Sequence, residues 1–166
     1  MSNFGPFDPE RLLTTLARHQ VRYVLIGAVA ARLQGFPRLT ADLDVTPAAD
    51  ADNLTHLAAA LRELGARVFT ESVPEGLAFD CTPRALARGR LWNLITVAGR
   101  LDLVFQPSGT SGYDDLVEHA IAFEVFGSRI VVASLADIIR SKEAADRPQD
   151  WQDVILMREM LQRERT

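Results

Sequence analysis

Ile26 to Pro47 reads IGAVAARLQGFPRLTADLDVTP, and the fold turns on whether this stretch is one strand, helix, strand unit. The run before it, Val21 to Ile26 (VRYVLI), is rich in β-branched and aromatic residues and stops at Gly27, as a short strand does. Ala28 to Gln34 fits a short helix that Gly35 ends. Thr40 to Thr46 then alternates, with Leu43 and Val45 on one face and Asp42, Asp44 and Thr46 on the other. That is the period of a half-buried strand, so both carboxylates point the same way.

An Asp-x-Asp pair on one strand face can hold Mg²⁺, which takes oxygen ligands. Alone the spacing is weak evidence, because most such pairs are solvated strand ends, so context has to decide. Asp42-Leu-Asp44-Val-Thr46 matches the letters of haloacid dehalogenase-type phosphatases, but Pro37 to Ala41 before it is no apolar strand. Glycosyltransferases also use Asp-x-Asp, in domains usually longer than this chain.

Working outward, Asp8-Pro9 reads as N-cap and first residue of a helix to about His19. Asp50 to Leu64 is an amphipathic helix closed by Gly65, and Ala66 to Thr70 is a strand. Glu71 to Arg90 holds two prolines and two glycines without a steady period, and reads as a loop with one helical turn. LWNLIT and RLDLVF, joined by Val97-Ala98-Gly99, read as a hairpin whose second strand carries Asp102. Asp114 to Ala120 reads as helix and SRIVVAS as strand, with no element assigned between them. Ser134 caps a helix through Lys142 to Ala145, and Pro148 opens a last one to about Gln162. The expected fold is α/β, a mixed central β-sheet flanked by helices, in a single domain over residues 1–166 whose helical carboxyl-terminal part is about 134–166.

Composition narrows the chemistry. A chain of 166 residues, 48% hydrophobic, can bury one core. The amino-terminal MSNFGPFDPE has neither the basic nor the apolar region of a leader, and no apolar run is long enough to span a membrane, so a cytoplasmic protein is expected. The single cysteine, Cys81, rules out a cysteine-based zinc site. A formal net charge of −4 argues against coating nucleic acid, although Arg84, Arg88, Arg90 and Arg100 could form a local basic patch. Lys142 is the only lysine among 18 basic residues. His19, His56 and His119 share no ligand spacing and read as surface or cap residues.

Gly27-Ala28-Val29-Ala30, Gly35, and Arg38-Leu-Thr40-Ala-Asp42-Leu-Asp44 resemble the DNA polymerase beta-like nucleotidyltransferase superfamily, most closely its small bacterial AbiEii-like toxins. Lys142-Glu-Ala-Ala-Asp-Arg147-Pro-Gln-Asp150-Trp-Gln-Asp153 is similar to the Lys-x(4)-Arg-x-x-Asp-x-x-Asp helix pair of that group. The resemblance covers both ends of the chain and not its middle.

It implies the polymerase beta-like fold and a transfer of a nucleotidyl group from a nucleoside triphosphate to an acceptor hydroxyl with Mg²⁺ or Mn²⁺. Asp42, Asp44 and Asp102 would bind metal, with Asp102 also taking the acceptor's proton. Gly27, Ala28, Arg38, Thr40, Lys142, Arg147 and Asp153 would face the nucleotide. The acceptor would be an RNA or tRNA end or a protein, and an antitoxin would be a partner.

Each residue keeps a plainer alternative. Gly27 could be an ordinary turn, Asp102 a polar hairpin edge, Arg38 a loop pin and Lys142 a solvated helix residue. Asp150 could be a first-turn acid that complements the helix dipole. Ala28 departs from the Gly or Ser of the superfamily, which leaves open a catalytically silent nucleotidyltransferase-like module that binds a nucleotide or a partner.

Overall fold

The computed structural model describes residues 4–166. Residues 1–3, part of the stretch read above for a leader and of the expected domain span, lie outside the described residues. The helices start where their caps demand. The Asp8, Asp50, Thr82 and Ser134 side chains each accept a backbone N–H, opening α1 (Pro9–Arg18), α3 (Ala51–Glu63), α4 (Pro83–Arg88) and α6 (Leu135–Ala145). Pro148 occupies the first turn of α7 (Pro148–Glu164), where its missing N–H costs no hydrogen bond. α2 (Gly27–Leu33) and α5 (Tyr113–Val117) are short.

Eight strands form one mixed sheet: β1 (Tyr23–Ile26), β2 (Asp42–Pro47), β3 (Arg67–Thr70), β4 (Val73–Leu77), β5 (Leu91–Thr96), β6 (Gly99–Val104), β7 (Ile121–Val125) and β8 (Ser128–Val132). Their spatial order is β4-β3-β5-β6-β2-β1-β8-β7. β2 pairs antiparallel with β1 and parallel with β6, so it lies at the centre. Helices flank this sheet, and α6 and α7 pack on each other at the carboxyl end. The expected α/β class with a mixed sheet is what the chain adopts.

Alternation divides the central strands into two faces. Leu25, Leu43, Val45, Leu94, Leu101 and Leu103 are fully buried on one face, in a core that also takes Leu12, Leu13 and Leu16 from α1 and Leu54, Leu57 and Leu61 from α3. The other face carries Asp42, Asp44 and Asp102. The hydrophobic effect therefore fixes the register that presents the carboxylates, since a one-residue slip would turn them into the leucine core and bring the leucines to the cleft face.

Two strands differ from the sequence expectation. The stretch read as loop contains β4 as well as α4. β4 is an edge strand bonded only to β3, a position that tolerates Pro74. Gly76 (φ +83°) lets the strand lie so close that a Cβ there would be 2.6 Å from Arg67 Cβ. β7, to which no element was assigned, forms a hairpin with β8 around Phe126-Gly127. Both turn residues have positive φ, 50° and 74°, and a phenylalanine in that role hides the usual Asn-Gly signature. Among the described residues no helix is long and apolar enough to cross a membrane.

Candidate active site

Asp42 and Asp44 leave β2 on one face, and the parallel register sets Asp44 directly beside Asp102 on β6. Carboxylate oxygens of the three lie within 4.8 Å of one another. Such proximity is costly without a counter-ion. Burial, then the charges of Asp42 and Asp102, push the Asp44 carboxyl up to about 7, against the pull of Lys142 and Arg100. Burial also raises Asp102, opposed by its contact with Arg100.

Gly27 explains itself at this point. Ile26 pairs with Asp44, and Gly27 follows with φ +72°. A Cβ built on it would sit 2.3 Å from Asp44 Oδ2, so only glycine lets the β1–α2 turn pass over the carboxylate.

Neighbouring side chains hold the acids in place. The Thr40 hydroxyl donates to Asp42 Oδ1 at 2.5 Å. Arg100, expected in a surface basic patch, instead reaches over the sheet: its Nη2 donates to Asp102 Oδ1 at 3.2 Å while its guanidinium lies 3.7 Å from the Phe69 ring centre. Arg84, Arg88 and Arg90 are exposed.

A cleft of about 860 Å³ opens over the carboxylates. Gly27, Ala28, Arg38, Thr40, Lys142 and Arg147 all line it along with the three acids. Asp150 lines it too, and its role is larger than that of a dipole-complementing acid. Its buried carboxylate accepts from Lys142 Nζ at 3.1 Å and from Arg147 Nε at 2.8 Å. One anion shared by two cations leaves the trio net positive, facing the acidic cluster. Asp153 lies elsewhere, in a neighbouring groove of about 520 Å³ beside Phe36, Leu156 and Met160, where it forms an ion pair with Arg38.

The site residues sequence reasoning missed are Asp150 as the partner of Lys142 and Arg147, and Arg100 as the partner of Asp102. Spacing does carry a trace of the second, since Arg100 and Asp102 alternate onto one strand face.

No family model matches the chain, and no curated protein matches it in sequence. Among solved structures it is similar to a Thermotoga maritima protein described as a candidate nucleotidyltransferase, at 18% identity and a TM-score of 0.51. The match covers 95% of this chain and 96% of that one, so the two share a fold from end to end.

Proposed function

We propose that the chain is a metal-dependent nucleotidyltransferase that moves a nucleotidyl group from a nucleoside triphosphate to an acceptor hydroxyl. The observation that carries this reading is the convergence of Asp42, Asp44 and Asp102 under the Gly27 turn, in a cleft whose far wall is cationic. The donor set fits a hard divalent cation: it is all oxygen, and a cation would favour the ionised form of the Asp44 carboxyl, which burial and then the charges of Asp42 and Asp102 disfavour. Asp42, Asp44 and Asp102 would hold Mg²⁺ or Mn²⁺, which supplies charge neutralisation at the reacting phosphate.

The chain's own residues do the rest. Asp102, held by Arg100, accepts the proton of the acceptor hydroxyl as its oxygen bonds to the α-phosphorus. The bond from that phosphorus to pyrophosphate breaks, and Lys142 and Arg147 balance the departing charge. Thr40 keeps Asp42 oriented. Arg38, which lines both the cleft and the neighbouring groove, pairs with Asp153 and braces the loop that carries Thr40. The resemblance to AbiEii-like proteins extends the reading to a cytoplasmic toxin of a toxin–antitoxin pair, acting as one unit on an RNA or tRNA end or a protein.

Incubation with labelled triphosphates, Mg²⁺ and candidate acceptors tests this. Labelled product and pyrophosphate are expected from the wild type, with at least a hundredfold loss in Asp44→Asn and Asp102→Asn and little change in melting temperature. Triphosphate binding without turnover would instead establish the silent module that Ala28 permits, because alanine at the cleft offers no hydroxyl to a phosphate oxygen. Absence of both binding and turnover would reject the reading altogether.

A further inference from the structure

Asn93, Asp102, Asp44 and Ile26 stand in one row across β5, β6, β2 and β1. At about 4.8 Å per strand, the two ends of the row are about 14 Å apart. At the β1 end lies Gly27. At the β5 end lies Asn93, exposed, with no side-chain hydrogen bond among the described residues. Leu91, two residues earlier on the same face, and Arg90 also line the cleft there.

The cleft's cations are not equivalent. Arg38 is held by Asp153, and Lys142 and Arg147 share Asp150. Arg90 has no carboxylate partner among the described residues, and neither have Arg84 and Arg88, one helical turn apart on α4 just before it. An unneutralised arginine beside an acidic cluster, in a chain of net charge −4, leaves a guanidinium fork open to an anion.

Resting on the nucleotidyltransfer reading, we propose that Arg90, Leu91 and Asn93 form the acceptor subsite and that the acceptor carries a phosphate. In-line displacement puts the attacking and leaving oxygens on opposite sides of the reacting phosphorus. With pyrophosphate drawn toward Lys142 and Arg147, the acceptor hydroxyl arrives from the β5 side, past Asp102. There Arg90 meets its phosphate, Leu91 offers an apolar surface, and the Asn93 amide can both donate and accept. A nucleic-acid end and a small phosphorylated molecule share this chemistry. A protein hydroxyl does not.

Equilibrium binding tests the subsite without requiring turnover. The protein, saturated with Mg²⁺ and a non-hydrolysable triphosphate, is titrated with adenosine 5′-monophosphate, a 5′-phosphorylated RNA trinucleotide, adenosine, and a serine-containing peptide. The phosphorylated probes should bind, and Arg90→Gln should weaken them about tenfold, the loss of one charge-assisted contact. Arg90→Lys should recover part of the affinity, and triphosphate affinity should stay within about twofold. A trinucleotide that binds more tightly than the monophosphate assigns the acceptor to nucleic acid, and equal binding assigns it to a small molecule. The proposal is overturned if adenosine or the peptide binds as well as the phosphorylated probes, if no probe binds, or if Arg90→Gln weakens the triphosphate equally. A wild type that binds these probes yet yields no product would remove the transfer reaction while leaving the anion subsite standing.

Discussion

At the scale of single residues, Gly27 and Asp44 are two halves of one device. Gly27→Ala should cost about 1–2 kcal/mol for a left-handed alanine. It should also push the Asp44 carboxylate out of the cluster, because the new methyl would occupy its place. Calorimetric titration with Mn²⁺ should show weaker binding in Gly27→Ala than in the wild type, and unchanged affinity would refute the account. Both carboxylates of β2 and the glycine were legible in the sequence because strand period and turn chemistry are local. The pairing of Asp150 was not: the helix-pair motif includes the residue, but its first-turn position suffices to explain an acid there, and nothing local shows that Lys142 and Arg147 share it across the turn between α6 and α7.

At the scale of elements, that turn is an electrostatic joint. Asp146 takes a left-handed conformation to end α6, and Asp150 in the first turn of α7 reaches back to Lys142. Removing the carboxylate leaves a largely buried ammonium without its partner, so Asp150→Ala should lower unfolding free energy by about 2 kcal/mol. Lys142→Ala should remove the same contact, and the double variant should lose less than the sum of the two, as chemical denaturation of all four proteins will measure. Additive losses would mean that the two residues stabilise the α6–α7 joint independently. The strands teach a related lesson. β2 and the β5–β6 hairpin follow their alternation, whereas β4 and β7 lie at the two edges of the sheet, where burial no longer disciplines the sequence. Pro74 and Gly76 in β4 look like breakers until β3 lies beside them, and the exposed residues of β7 supply no clean apolar face.

At the scale of the whole molecule, the acidic cluster makes stability depend on pH in an unusual sense. Asp44 titrates near 3.8 when unfolded and near 7 when folded, so the folded state binds the extra proton between those values. The stabilisation is complete below about pH 4 and is lost as pH rises toward 7, opposite in sign to the contribution of lowered acids such as Asp150. Melting temperature should therefore fall more steeply over this range in metal-free wild type than in Asp44→Asn, and saturating Mg²⁺ should remove the difference by favouring the ionised form. Identical slopes in the two proteins would contradict the raised carboxyl. The parallel β2–β6 pairing has a consequence for how the molecule comes into being. Asp42 and Asp44 meet β1 through a nearby connection, but Asp102 joins them only after the long intervening chain has looped back, the kind of contact that chain entropy delays. A nascent chain that ends before β6 holds two of the three clustered carboxylates and no third, so under the proposed function competence to bind a cation would be acquired with closure of that loop and could not precede it.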